Sequence, residues 1–215
     1  MRKLFLIALA FCVCTALHGQ ERQRYLELGM GANAYRGDLG EGYANWRGHV
    51  HAGLQFRGAA RVNGSINLSL GSLLGESLNY RFPAEPTAQP NAFFTSKWFS
   101  LHGELQVNLL RKQTWLVYLS QGFGVIRFNP QDDQGQALLE QVNTRPEDEL
   151  YNTTSVVLPT GIGATYFLPN GLGLDLHSRF LNTQTDYLDN ISTWGVKQGN
   201  DKVMTITLSV LVPLN

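Results

Sequence analysis

The stretch Lys202–Leu214 reads Lys-Val-Met-Thr-Ile-Thr-Leu-Ser-Val-Leu-Val-Pro-Leu. Met204, Ile206, Leu208, Val210, Val212 and Leu214 are apolar, and Thr205, Thr207 and Ser209 stand between them. Alternation with a period of two places one set on each face of a β-strand, because successive side chains point to opposite sides. One face is therefore greasy and the other small and polar.

Seven earlier segments carry the same pattern, at residues 25–35, 47–57, 61–71, 96–109, 115–126, 155–168 and 172–183. Most are near the length at which a tilted strand crosses a bilayer, about 9–11 residues. None has a convincing helical period, and no later segment is a continuous apolar run long enough for a membrane helix. The connections alternate: 58–60, 110–114 and 169–171 are short, whereas 36–46, 72–95, 127–154 and 184–201 are long. Short periplasmic turns alternating with long external loops, and both termini on the short-turn side, are the plan of an eight-stranded antiparallel up-and-down transmembrane β-barrel.

The start of the chain fits export. Arg2 and Lys3 precede an apolar run from Leu4 to Leu17, followed by small and polar residues. This reads as a cleaved signal peptide over residues 1–20, leaving a barrel domain over 21–215 in the cell outer membrane. The run is short for a spanning anchor, and Phe11 and Val13 before the two cysteines do not suit a lipoprotein signal. Both cysteines, Cys12 and Cys14, fall in that segment, so the mature chain is expected to hold neither disulfides nor a Cys-ligated metal. Removing Arg2 and Lys3 from 17 basic residues leaves 15 against 17 acidic ones, a formal charge of −2 that gives no sign of nucleic acid as a partner. Charged residues are 16% of the chain, against about 25% in soluble domains, which suits a surface facing lipid.

The faces follow from parity. Leu26, Leu28 and Met30, then Val50 and Leu54, then Ile66, Leu68 and Leu70, then Leu101, Leu105 and Val107 point outward. Outward aromatics fall at strand ends, with Phe56, Trp115 and Tyr166 near one rim and Trp46, Phe99 and Phe180 near the other, as interfacial girdles require. A soluble lipocalin-type barrel would invert this, and its outer face would need many Lys and Glu residues; the polar face here is mostly Gly, Ser, Asn and Thr. Gln121 interrupts the outward face, and Pro159 predicts a bulge in the sixth strand.

Parity sends all four mature histidines, His49, His51, His102 and His177, into the lumen with Glu27, Arg57, Glu104, Asp175 and Arg179. Histidine beside carboxylate is a zinc-ligand chemistry. An eight-stranded barrel, however, has an interior just wide enough for side chains to fill it, and buried charges must pair. The expectation is a polar plug with no metal and no cofactor, with Glu27 and Arg57 as one candidate pair and inward glycines such as Gly161 and Gly163 making room. No Ser-His-Asp spacing is readable and no histidine lies in a long loop, so no catalytic residue is assigned and the chain reads as a non-enzyme. The loop over 127–154 holds six acids, including Asp132, Asp133 and Glu149, without the regular spacing of a calcium loop. Its Leu138, Leu139 and Val142 are candidates to pack over the barrel mouth.

Several motifs together resemble a known group. Leu26-Glu27-Leu28-Gly29 running to Tyr35-Arg36-Gly37-Asp38-Leu39 is one. Gly122-Phe123-Gly124-Val125-Ile126-Arg127-Phe128-Asn129-Pro130 is another, and so are Pro159-Thr160-Gly161-Ile162-Gly163-Ala164 and Thr185-Asp186-Tyr187-Leu188-Asp189. Their order resembles a family of small outer-membrane barrels from Bacteroidota that includes PorG, the barrel subunit of the type IX secretion system. The resemblance implies no catalysis. It implies an anchor in outer-membrane lipid that contacts a periplasmic ring made by a lipoprotein and its partner. The matching surface would be the short turns, with Arg111 and Lys112 as candidate contacts. A stand-alone barrel working through its external loops is the other reading, and a pore is a third. Many outer-membrane barrels end in an aromatic residue; this sequence ends Leu214-Asn215.

Overall fold

A computed structural model describes residues 23–40, 42–58, 61–77, 90–195 and 199–214. The segment read as a signal peptide lies outside these residues. Eight strands, β1 (Gln23–Arg36), β2 (Trp46–Arg57), β3 (Val62–Glu76), β4 (Phe93–Arg111), β5 (Trp115–Gln131), β6 (Thr154–Phe167), β7 (Gly173–Thr183) and β8 (Lys202–Leu214), close in sequence order into one barrel. Every neighbouring pair is antiparallel, and closure is made by β1 against β8, with Arg24 opposite Leu214 and Arg36 opposite Lys202. Closure leaves no strand edge, which is what permits a sheet to sit in hydrocarbon.

Burial alternates as the sequence alternates. In β8, Val203, Thr205, Thr207, Ser209 and Leu211 are buried while Ile206, Leu208 and Val210 are exposed. The apolar face is the outer one: Met30, Leu105, Phe123 and Leu208 are among the most exposed large side chains of the strands. At the short-turn rim Trp115 packs on Tyr166 of the next strand, ring centroids 4.9 Å apart.

Three strands run further than the alternation indicates. β3 continues to Glu76, β4 begins at Phe93 and is 19 residues long, and β5 continues to Gln131. That exceeds the roughly 9–11 residues that cross a bilayer, so these strands project on the long-loop side. There the lumen positions become apolar. Tyr35, Leu73, Phe94, Trp98, Ile126, Phe128, Leu181 and Val203 form one buried cluster with the loop residues Leu39, Leu138, Leu188 and Ile191. The barrel thus has a polar lower interior and an apolar upper one.

The bulge expected at Pro159 is absent. Gln121 pairs with Thr160 and Gly124 with Val157 in one unbroken register, with Gly122 and Phe123 left unladdered opposite Leu158 and Pro159. The out-facing Gln121 amide closes the gap: its Nε2 donates to the Pro159 carbonyl at 3.0 Å and its Oε1 accepts from Thr160 Oγ1 at 2.9 Å. The residue that breaks the outward apolar pattern thus bonds the Pro159 carbonyl at the point where the ladder between β5 and β6 is interrupted. Replacing Gln121 with leucine should cost about 1–3 kcal/mol through the orphaned carbonyl, even though it makes the surface greasier. Urea unfolding in lipid vesicles measures it, and a stabilised Q121L would contradict it. The one register shift between β4 and β5 lies instead at Asn108–Leu110, beside the short turn.

Candidate functional site: a filled lumen between a roof and a basic mouth

Strand register brings the lumen residues together from opposite walls. Arg179 on β7 reaches across to Glu104 on β4, Nε to Oε1 at 2.8 Å, and His102 Nε2 lies 3.2 Å from the same oxygen. Glu27 on β1 lies 3.4 Å from His51 Nε2 and accepts from Gln55 Nε2 at 2.5 Å. His51 Nδ1 meets Ser69 Oγ at 2.8 Å, and His49 Nε2 meets Thr207 Oγ1 at 2.9 Å. Glu27 and Arg57 do not pair directly: Arg57 is 3.5 Å from Asp175 and bonds Thr165 at 3.0 Å, and its Nε donates to Gln55, which links it to Glu27. Parity on neighbouring strands identifies the wall and the level, whereas Arg57 is long enough to cross the lumen to β6 and β7.

Tyr118 and His177 complete the lower layer. Tyr118 Oη donates to Asp175 Oδ2 at 2.9 Å, and the edge of its ring stands against the His177 ring. His177 Nε2 is 3.1 Å from Ser120 Oγ. A serine beside a histidine is the nucleophile–base contact of hydrolases, and sequence spacing did not reveal it because the two lie on β5 and β7. Here Ser120 is only 4% exposed, His177 is fully buried, and neither lines the cavity at the barrel mouth. The contact has the surroundings of a packing bond in a filled interior. Small residues create the space: a Cβ on Gly163 would lie 2.4 Å from Tyr118 Oη, and one on Gly161 would lie 2.7 Å from His177 Nε2. Among the described residues no group of three or more His, Cys, Asp or Glu side chains is arranged to hold a metal ion.

The long-loop end is roofed. Leu138 sits fully buried at the start of a short 3-10 turn, Leu139 is half-buried, and Val142 is 60% exposed, so one of the three candidate packing residues caps the barrel. Arg145 ties this loop with its guanidinium, donating to the carbonyls of Leu138, Leu139 and Glu149 and to Asn190 Oδ1. Its cation lies 5.3 Å above the Tyr151 ring, and Tyr151 stacks on Tyr187 with centroids 4.4 Å apart. Asn190, in the left-handed region at φ 72°, also bonds Asn91 and Thr144, joining three loops at one side chain. Asp132 accepts from the Gln134 and Gln136 amides and from Gln141, which makes it the staple of its own turn.

Beneath the roof lies a buried carboxylate group. Tyr35 Oη is 2.5 Å from Asp189 Oδ2 and 3.0 Å from Asp201 Oδ1. A phenol has one proton, so both contacts are satisfied when one carboxyl is protonated and donates back. Asp189 also accepts from the Leu39 and Ile191 amides, and Asp201 from the Leu188 amide. Burial, reinforced by the nearby Asp38 carboxylate, raises the pKa of Asp186 to about 7. Burial raises Asp189 to about 7 as well, against the pull of its donors, and burial with the Asp189 and Asp186 carboxylates alongside raises Asp201 well above the usual carboxylate range.

Those shifts set a sign. With the roof released, these acids titrate near 4. From about pH 4 upward through pH 7 the closed roof therefore holds more protons than the open one, so closure weakens as pH rises through that window. Nicking within 184–195 by a protease active at both values should be slower at pH 5.5 than at pH 7.5, and Asp186→Asn should reduce the difference. Nicking that slows as pH rises would contradict it.

At the opposite end, Arg111 and Lys112 are exposed on the turn between β4 and β5. Arg111 Nη1 donates to the Gly58 carbonyl at 2.8 Å, and the Lys112 amide to the Trp115 carbonyl at 2.8 Å.

A closed barrel of eight antiparallel strands, apolar outside and polar within, defines the class of small outer-membrane barrels. The chain belongs to the family of outer membrane protein beta-barrel domains, which matches residues 4–212. In fold it is similar to Neisserial surface protein A (TM-score 0.58, 12% identity, covering 89% of this chain and 97% of that one). It is similar also to Ail, the attachment invasion locus protein of Yersinia pestis, whose structure holds the heparin analogue sucrose octasulfate (TM-score 0.53, 11% identity, covering 90% and 99%). No curated protein sequence matches significantly.

Proposed function

We propose that this protein is a non-enzymatic adaptor of the outer membrane, a PorG-like component of the type IX secretion system that contacts a periplasmic ring complex. It is exported by a signal peptide removed near residue 20, and its working surfaces are the ends of the barrel. The observation that carries this reading is the filled lumen. With Glu27, Glu104, Asp175, His177 and Arg179 fully or almost fully buried and tied across the barrel, the polar interior acts as a plug and not as a conduit. The short-turn end offers Arg111 and Lys112, neither in an ion pair among the described residues, as the charge that meets a periplasmic partner.

A pull-down of the tagged protein from its native outer membrane in gentle detergent, read by mass spectrometry, tests this. Recovery of a ring lipoprotein and its partner, lost on charge reversal at Arg111 and Lys112, is expected. Recovery of the barrel alone from membranes in which the ring is intact would overturn it.

The second reading, a stand-alone barrel that supports the envelope or binds through its external loops, is favoured by one feature. Leu150 and Val142 stand 81% and 60% exposed on an otherwise tied-down roof, an apolar contact surface on the outer side.

A further inference from the structure

The short-turn mouth opens into a cavity of about 1090 Å³. Its polar lining includes the cations Arg57, Arg111 and Lys112 and, among the described residues, no carboxylate, and its apolar walls are Tyr25, Leu116 and Phe167. Arg57 is 94% buried at the inner end of the cavity, being 6% exposed. Its Nε and Nη2 are engaged and its cation lies 5.5 Å from the Phe167 ring, but its Nη1 has no hydrogen-bond partner among the described residues. Asp175, behind the floor, offsets part of that one charge. Arg111 and Lys112 at the rim have no carboxylate to offset them among the described residues. The field in the mouth is therefore positive, and low-dielectric walls concentrate it.

Size decides between anions. Ligand pockets commonly run to about 300–1,000 Å³, and a cavity slightly above that range is far larger than a single phosphate ion fills. It has greasy walls on one side and cations on the other, and it is blind, because Gln55, Tyr118, Thr165 and Asp175 fill the lumen above it. A blind pocket of that composition suits a chain that enters end-first, carrying a carboxylate and an apolar side chain. We propose that the short-turn mouth is a receptor for a peptide carboxylate of a periplasmic protein. The carboxylate is held by Arg111 and Lys112 in front of Arg57, and the adjoining apolar side chain lies against Tyr25, Leu116 and Phe167. The inference deepens the adaptor reading in taking a periplasmic protein as the source of the peptide.

The test uses the purified full-length barrel in lipid nanodiscs and three fluorescein-labelled pentapeptides. One is Gly-Ser-Gly-Ser-Leu with a free C-terminus, the second is its C-terminal amide, and the third is an amide with an internal glutamate. Fluorescence anisotropy is expected to show the free acid binding at least about tenfold more tightly than its amide. Arg111→Gln with Lys112→Gln should weaken binding about tenfold, and added salt should weaken it further. Arg57→Gln should abolish binding; should it fail to fold, the exposed rim pair decides. Binding of the glutamate peptide above the plain amide would also support the pocket and would assign the carboxylate to a side chain. Equal binding of acid and amide, no binding of any peptide, or displacement by inorganic phosphate at equal concentration would overturn the proposal. Because the assay contains no secretion ring, peptide binding alongside a failed pull-down would leave the receptor pocket standing and remove the ring. A successful pull-down with no peptide binding would do the reverse.

Discussion

Replacing Glu104 with methionine is expected to destabilise the barrel by about 3–5 kcal/mol, because it leaves a buried guanidinium without its counter-charge. Arg179 is 2% exposed and its Nε depends on Glu104 Oε1 for its one ion pair among the described residues. His102 loses the same acceptor. Arg179 is sealed from solvent, so its charge cannot be resolvated without opening the lumen. The double replacement Glu104→Met with Arg179→Met removes both charges and should recover much of the loss, since a well-packed apolar pair of similar volume is often no worse than a buried ion pair. Urea titration of the barrel in vesicles, followed by the loss of its heat-modifiable gel mobility, reads both. A single variant that costs under about 1 kcal/mol, or a double variant worse than the single, would show that the cross-lumen pair does not hold the walls together.

The second large effect is steric. Gly163 on β6 stands directly opposite Tyr118 on β5, and a side chain there would lie 2.4 Å from the Tyr118 ring. The ring has nowhere to go: Tyr118 is fully buried and its hydroxyl is bonded to Asp175. Gly163→Val must therefore displace it. Overpacking of this kind costs about 1–3 kcal/mol, and a carboxylate short of one donor about 1–3 kcal/mol more. Tyr118→Ala in the same background relieves the clash, so the double variant should be less unstable than the sum of the two single changes. Additive losses would mean that the residues do not share the space.

The sequence reading and the structure agree where physics imposes a period and part where it does not. β8 is legible because lipid on one side and a polar lumen on the other force Ile206, Leu208 and Val210 to alternate with Thr205, Thr207 and Ser209. The upper ends of β3, β4 and β5 are not legible for the converse reason. Under the roof the lumen positions Leu73, Phe94 and Phe128 are apolar too, so runs such as Leu73-Leu74 and Phe93-Phe94 lose the contrast that marks a strand. Pro159 reads as a bulge because a missing N–H usually ends a ladder; what no local pattern shows is that the register runs on past it, with Gln121 on the neighbouring strand donating to its carbonyl.

The lumen is legible as a set and illegible as a network. Parity places each residue on the inner face, but partners such as Arg179 and Glu104 sit 75 positions apart on opposite walls. The roof carboxylates fall in loops without any period, and the mouth cavity is assembled from several strands and turns. Neither has a signature in one dimension.

The central claim is a barrel with lipid outside and a lumen filled by paired side chains. Single cysteines placed in turn along β4 test it most directly, because the only cysteines of the chain are Cys12 and Cys14 in the segment expected to be removed. Nitroxide labels at positions 101, 105 and 107 should be reached by oxygen dissolved in the bilayer. Cysteines at 102, 104 and 106 should resist both lipid-soluble and water-soluble thiol reagents in the folded barrel. Rapid reaction of the second set with a water-soluble reagent would mean an open channel, and exchange of the two patterns would mean that the faces are inverted; either result would contradict the account.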